Sequence, residues 1–214
     1  REGSASAKSP AASATAHLID LRSTLAWLKS QGDLIETDKE VNPDLELTGL
    51  QKLMDGGTPA IFNKVKGKPN HRLLTNLFGS IEVMNKMFAW ADDKDRTHKL
   101  ARALNKPLPP VEIPQADAPC QQVVIEKPNN VYDYLVPIRH TELEKEMTVG
   151  SGIRCLSGDV FDGGTDVGYN RMNFRWGNIG TFQISPGSHM WQVSSDAYRE
   201  KGVVPFTKIG RAHV

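Results

Sequence analysis

The stretch from Asp166 to His189, DVGYNRMNFRWGNIGTFQISPGSH, constrains the fold more than any other part of the chain. Two of its segments, MNFRW and GTFQIS, alternate their side chains in the manner of β-strands. Strand periodicity predicts that Arg171 and Arg175 project to one face, since side chains repeat every second residue. Two guanidiniums on one face repel each other, which favours a bound anion such as a phosphate between them. The alternative is that each arginine pairs with a carboxylate or lies in water.

Two residues of the same stretch, Asp166 and His189, are candidate ligands for a hard metal ion. A carboxylate and an imidazole near a phosphate could hold the divalent cation that bridges it. The alternative is that one is a turn residue and the other a surface residue.

The front half of the chain alternates helical and strand patterns, which indicates an α/β unit. Asp20 is placed to cap a first helix that Gly32 ends, and Asn42-Pro43 opens a second helix. Further helices are predicted over Ile81–Trp90 and Asp95–Leu104. The predicted strands are LIETDKEV, PAIFNKV and RLLTNLFG.

A proline-rich segment, LPPVEIPQADAPC, separates this unit from a second half that predicts short strands with glycine turns. The run QQVVIE is rich in β-formers, and Asp162-Gly163-Gly164 favours a hairpin turn. The pattern is typical of a β-sandwich or barrel.

The balance of 26 basic and 25 acidic residues argues against a nucleic-acid or membrane-surface protein driven by net charge. No apolar run reaches the roughly 20 residues that a membrane span needs. Cys120 and Cys155 lack metal-type spacing, and they are expected to be reduced and buried, as in a cytoplasmic protein. Residues 1–16 are predicted to be a disordered tail, and the last six, IGRAHV, resemble a translated sequencing adapter.

The Asp166–His189 stretch resembles the cofactor-binding core of the UbiD-type decarboxylases, which use prenylated FMN. The family pattern is an Asn, a short run ending in Arg, and a later His; here these are Asp166, Gly168 to Arg171 and Ser188-His189. Asp166 departs from the usual Asn and changes the charge of the site by one unit. The runs GTPAIFNKVKG and RLLTNLFGS are also similar to family members.

This resemblance implies an N-terminal α/β domain over 17–118 and a mostly-β split barrel of the flavin-reductase type over 119–208, with 209–214 set aside as an artefact. The family's third region, with its catalytic carboxylates and oligomerisation helix, is absent from the sequence. The fragment alone is therefore predicted to be inactive, and the full-length protein to be a homo-oligomer.

The resemblance also assigns roles to individual residues. It implies that prenylated FMN contacts Tyr169, Asn170, Arg171, Ser188 and His189, and that Arg171 is catalytic through the substrate carboxylate. Asp166 and His189 would hold Mn²⁺ on the flavin phosphate, and a K⁺ ion is a further expected cofactor.

The function predicted from this resemblance is non-oxidative decarboxylation or carboxylation of a small aromatic or α,β-unsaturated acid. An aromatic hydroxy acid is the first expected substrate and an acrylic-type acid the second. Two alternatives stay open: an FMN-dependent reductase on a similar barrel, and a non-catalytic flavin-binding module. His140 and Glu142 form another candidate acid–base pair, although a loop histidine beside charged residues is usually solvated.

Overall fold

The computed structural model describes residues 16–106, 111–150, 152–156, 166–204 and 207–209, with the side chains of 154–156, 166 and 207–209 left undescribed. The chain divides into two compact units. The first takes its described residues from 1–36, 55–61 and 75–108, and the second from 37–54, 62–74 and 109–214. The predicted boundary after residue 118 and the predicted split barrel stay predictions.

The first unit contains three helices: α1 Leu21–Gln31, α3 Ile81–Phe88 and α4 Asp93–Asn105. The carboxylate of Asp20 accepts a hydrogen bond of 2.8 Å from the Ser23 amide, and Gly32 ends α1 with φ of 75°. Both end signals predicted from the sequence are confirmed. Leu28 of α1 and Met87 of α3 are almost completely buried, because each helix turns its apolar face inward.

Strands β1 Ile35–Val41, β2 Ala60–Val65 and β3 Leu73–Thr75 form a sheet in that order, and α2 Glu46–Leu53 lies between β1 and β2 in sequence. The helix is confirmed, but it begins at Glu46 with Leu45 as its N-cap and not at Asn42-Pro43. The first two strands are confirmed within one residue of their predicted ends. The third strand is shorter than RLLTNLFG, because Asn76 takes a φ of 55° and the residues after it form a turn.

Besides α2 and most of the β1-β2-β3 sheet, the second unit contains, in its described residues, a three-stranded antiparallel sheet and a hairpin. The sheet has the order β5-β4-β8, from Asp166–Tyr169, Ile153–Leu156 and Thr207–Ile209. The hairpin joins β6 Met172–Trp176 to β7 Ile179–Phe182, with Met172 opposite Phe182. Gly177 in its turn has a φ of 74°, and a side chain there would overlap the Asn129 carbonyl.

A fifth helix, α5 His189–Lys201, follows the hairpin and corrects the expectation that this half consists of strands and turns. Ser188 caps its start, accepting a hydrogen bond of 3.1 Å from the Trp191 amide, and Gly202 ends it with φ of 69°. Met190, Val193 and Ala197 repeat at helical spacing and pack against Ile184 and Val204. The capping serine, the helical spacing of the apolar residues and the terminal glycine can all be recognised in the sequence.

Other expectations for the second half have different outcomes. The β-rich run QQVVIE is not a strand but contains the end of a short 3₁₀ turn, Pro119–Gln121, and irregular backbone. Cys120 is exposed and not buried as predicted. The hairpin turn at 162–164 lies outside the described residues. None of the helices in the described part of the chain combines the length and the apolar character that crossing a membrane requires.

Candidate functional site

The end of β5 and the start of α5 together line a pocket of about 320 Å³, which we call the β5–α5 pocket. Four of the predicted cofactor residues meet here, although 18 positions separate the two pairs: Tyr169 and Asn170 on one side, Ser188 and His189 on the other. The remaining lining residues are Gly168, Ile184, Ser185 and Met190.

Backbone hydrogen bonds and one side-chain bond fix both walls of this pocket. The Asn170 side chain donates a bond of 2.9 Å to the Gln183 carbonyl, which links the residue after β5 to the segment leading into α5. The Ser188 amide donates to the Ser185 carbonyl at 3.2 Å, and its hydroxyl caps the helix. Met190, in the first turn of α5, is buried in the small core that this helix forms. The helix start therefore cannot shift without disturbing that core.

The donor set of the β5–α5 pocket fits an anion such as a flavin phosphate. The first turn of a helix carries amides without internal acceptors and a partial positive charge, and His189 and Met190 of the first turn of α5 line the pocket. The Tyr169 hydroxyl, the Asn170 amide and the His189 imidazole add polar groups around it. The volume lies at the low end of the roughly 300–1,000 Å³ of small-molecule sites, enough for the phosphate end of a nucleotide.

The predicted metal pair has a mixed outcome. His189 lies in the pocket, whereas the Asp166 side chain lies outside the described part of the structure. Within that part, no three His, Cys, Asp or Glu side chains come together in the manner of a metal site. The described residues therefore supply one nitrogen ligand, and metal binding by Asp166 and His189 stays a prediction.

Arg171 follows Asn170 directly but lines a different cavity, which we call the arginine pocket. Its volume is about 410 Å³, and Arg175 lines it too. Arg171 lies one residue before β6, so the placement of both arginines on one strand face stays a prediction. Each guanidinium pairs with a carboxylate: Arg171 with Glu144 at 2.8 Å, and Arg175 with Glu146. This is the alternative to a bound phosphate. The other lining residues are Lys145, Thr148, Asn173, Trp176 and Thr181.

Glu144 lies at the centre of a short network in this pocket. Its second oxygen accepts hydrogen bonds from the His140 amide at 2.7 Å and from His140 Nδ1 at 3.3 Å. The His140 amide bond holds the pKa of Glu144 below its usual value of 4.5, with further lowering by the charges of His140 and Arg171, against the effect of burial. The candidate pair His140–Glu142 is thus replaced by His140–Glu144.

Tyr132 fixes strand β6 beside the arginine pocket. Its hydroxyl donates to the Met147 carbonyl at 2.9 Å and accepts from the Phe174 amide at 2.8 Å, and its ring meets Phe174 edge to face. Burial raises the pKa of Tyr132, so the hydroxyl stays protonated and keeps its donor role. On the opposite edge, the Arg175 guanidinium lies 5.5 Å from the centre of the Trp176 ring.

Sequence reasoning missed Glu144 and Glu146, which it treated as part of a charged loop, LEKE. The usable signal was spacing. Two acids two residues apart precede two arginines four residues apart, which offers two carboxylates for two guanidiniums. The contact itself is long-range, joining residues 27 positions apart, which no local pattern reveals.

Residues 25–104 of the chain match a family model described as the N-terminal domain of 3-octaprenyl-4-hydroxybenzoate carboxy-lyase. A gallate decarboxylase of Lactiplantibacillus plantarum is 36% identical over 125 residues, which cover 53% of this chain and 25% of that protein. A phenolic acid decarboxylase of Sedimentibacter hydroxybenzoicus is 31% identical over 131 residues, covering 58% of this chain and 27% of that protein.

Solved structures of UbiD-class enzymes are similar to this chain over more of its length. One is an evolved dimeric form of the UbiD-class enzyme HmfF from Pelotomaculum thermopropionicum in complex with prFMN. The two chains superpose with a TM-score of 0.77 at 25% identity, over 85% of this chain and 42% of that one. The chain spans about a quarter of the length of the curated relatives it matches.

Proposed function

We propose that the protein is a non-oxidative carboxy-lyase of the UbiD type that uses prenylated FMN. A small aromatic hydroxy acid is the proposed substrate, because two relatives are a gallate and a phenolic acid decarboxylase. An α,β-unsaturated acid is the second candidate. The observation that carries the proposal is the β5–α5 pocket, which brings the four predicted cofactor residues to one cavity.

Cleaving CO2 from an sp² carbon leaves a charge that no side chain can delocalise, and the flavin supplies that electron sink when bound. The residues of this chain would hold its phosphate end. The first turn of α5 lines the pocket and would attract negative charge through its amides. Ser188 keeps that helix start in place as its cap. Asn170 and Tyr169, which line the pocket, would contact the cofactor through the amide and the hydroxyl.

We also propose a bound divalent metal, for which Mn²⁺ is the first choice. A K⁺ ion is proposed as a second bound ion. Asp166 and His189 would share the Mn²⁺ with the phosphate. Oxygen and imidazole ligands suit that ion, and the place of His189 at the pocket wall supports this assignment. The extra charge of Asp166, compared with the usual Asn, would strengthen attraction to the cation.

Arg171 is the proposed catalytic residue, since a guanidinium binds a carboxylate through two parallel hydrogen bonds and orients it for cleavage. Its neighbour Asn170 lines the cofactor pocket while Arg171 lines the arginine pocket. Consecutive residues therefore line the two cavities, which supports a reaction that uses both.

The proposal extends to architecture and setting. The sheet β5-β4-β8 and the hairpin β6–β7 would be parts of a split barrel of the flavin-reductase type. The full protein would be a cytoplasmic homo-oligomer, in line with the dimeric relative. Light scattering on the protein that contains this chain tests the assembly.

The direct test of the cofactor site is FMN titration of this chain, with quenching of FMN fluorescence as the signal. We expect saturable binding that His189→Ala weakens about tenfold, the usual value of one hydrogen bond to a charged group. Thr181→Ala, which alters only the arginine pocket, is the matched control and keeps the affinity. Equal binding by both variants and the parent chain would remove the β5–α5 pocket from the proposal.

Two further experiments test metal binding and decarboxylation separately. Mn²⁺ should tighten FMN binding in the parent chain but not in Asp166→Ala or His189→Ala. The protein that contains this chain, loaded with prenylated FMN, should release CO2 from gallate. The same assay on the 214 residues alone tests their predicted inactivity. NADPH oxidation without CO2 release would favour the reductase alternative.

A further inference from the structure

The ion pair between Arg171 and Glu144 is asymmetric, with the acid held and the arginine exposed. The Glu144 side chain is 20% exposed and the Arg171 side chain 59%, with 2.8 Å between Oε1 and Nη1. Glu144 also accepts two bonds from His140 on its other oxygen. The carboxylate therefore has little freedom, while the guanidinium extends from it into solvent.

His140 makes Glu144 a fixed point and not a mobile surface acid. The residues bracket a tight loop, closed by the His140 amide at Oε2 and by the Glu144 amide at the Thr141 carbonyl, 3.1 Å away. A carboxylate that accepts backbone and imidazole N–H bonds stays ionised at neutral pH. It thus presents a full negative charge to Arg171 in one direction.

Arg171 uses only part of its hydrogen-bonding capacity in this contact. A guanidinium has five N–H donors in a rigid fork, and Glu144 accepts from Nη1. In the described part of the chain, Glu144 is also its ion-pair partner. Arg171 lines the arginine pocket together with Trp176, Thr148 and Thr181.

We propose that Glu144, held by His140, is a positioning residue that orients Arg171 to receive a carboxylate ligand in the arginine pocket. The inference rests on the proposed catalytic role of Arg171 and adds two residues to it. One edge of the guanidinium is fixed by the protein acid, and the other edge is left for the acid of the ligand. An arginine fixed in this way loses less rotamer freedom when the ligand binds.

The chain contains its own control. Glu146 lines the same pocket and pairs with the neighbouring Arg175, so Glu146→Gln removes one negative charge from the cavity, as Glu144→Gln does. Lys145 and the two arginines are unchanged in both variants. A general electrostatic effect predicts the same result for both, whereas positioning of Arg171 predicts an effect of Glu144→Gln alone.

The test follows the side-chain Nε–H signal of Arg171 by ¹⁵N NMR, assigned through its absence in Arg171→Lys. The probe is 4-hydroxybenzoate, titrated into this 214-residue chain. We expect a saturable shift in the parent chain and in Glu146→Gln. In Glu144→Gln the midpoint should move to about tenfold higher concentration, and Glu144→Asp should recover part of the difference.

Two results would overturn the positioning role: no response of the Arg171 signal in the parent chain, or the same midpoint in both Gln variants. FMN titration of the same samples keeps this test apart from the proposed function. A chain that fails to bind FMN but shows the Glu144 effect contradicts the cofactor assignment alone. A chain that binds FMN without the Glu144 effect contradicts the positioning role alone.

Discussion

The apolar core of the first unit and the arginine pocket of the second are built from opposite kinds of contact. Between α1 and α3, Leu25, Leu28, Val83 and Met87 are buried with little polar content. Around the arginine pocket, charged side chains are half exposed and pair with each other. Burial supplies most folding free energy, whereas exposed ion pairs supply little. The first region therefore governs stability, and the second is available for binding.

The largest expected effect is in the apolar core. Leu28→Ala removes a completely buried side chain from α1 and should lower the unfolding free energy by about 2–5 kcal/mol. Urea unfolding followed by circular dichroism measures it. Leu104→Ala, on α4 of the same unit, alters a side chain that is 82% exposed and should change stability by less than about 0.5 kcal/mol. Equal losses would mean that α1 is not a core helix.

The second effect separates helix capping from cofactor binding. Ser188→Ala removes the cap of α5 and should cost about 0.5–2 kcal/mol of stability. It should also weaken FMN binding, because Ser188 lines the β5–α5 pocket. Ser80→Ala removes the equivalent cap of α3, where Ser80 accepts from the Val83 amide at 3.3 Å, and is the matched control. It should lower stability by a similar amount and leave FMN affinity unchanged.

These two regions also differ in how far the sequence predicted them. The helices of the first unit follow from caps and apolar spacing within a dozen residues, and their ends are confirmed at Asp20 and Gly32. Local signals act through the backbone nearby, so they are legible without tertiary information. The third strand was predicted to be longer than it is. A single residue, Asn76, adopts a positive φ, which strand propensity does not predict.

The site was predictable only in part, for the same physical reason. Tyr169, Asn170, Ser188 and His189 line one cavity, and their role as cofactor residues stays a prediction. The pairing of β6 with β7 follows from alternation. Glu144 and its bonds to His140 and Arg171 depend on how a loop folds back across 27 residues. Such a contact is specified by tertiary packing, so neither periodicity nor composition could identify it.

A smaller effect concerns pH. The folded chain lowers the pKa of Glu144, so its contribution to stability is complete above the unfolded value. That contribution is lost as the pH falls through the folded pKa, which lies below 4.5. The stability difference between the parent chain and Glu144→Gln should therefore shrink as the pH is lowered from 7 to 3. Glu142→Gln changes an exposed acid of the same loop and is the matched control. A difference that grows toward acid would contradict the ionised state of Glu144.

The smallest expected effect compares an ion pair from each region and tests the contrast itself. Lys29–Glu36 belongs to the first unit, with a distance of 2.6 Å, and Arg175–Glu146 belongs to the arginine pocket. Glu36→Gln and Glu146→Gln should each change the unfolding free energy by no more than about 1 kcal/mol, since both pairs are partly exposed and screened by salt. Urea unfolding at low and high NaCl measures both. A loss of more than about 2 kcal/mol for Glu146→Gln alone would make the arginine pocket a structural element. Its charges would then be retained for folding, and the division between a stabilising core and a binding pocket would fail at that point.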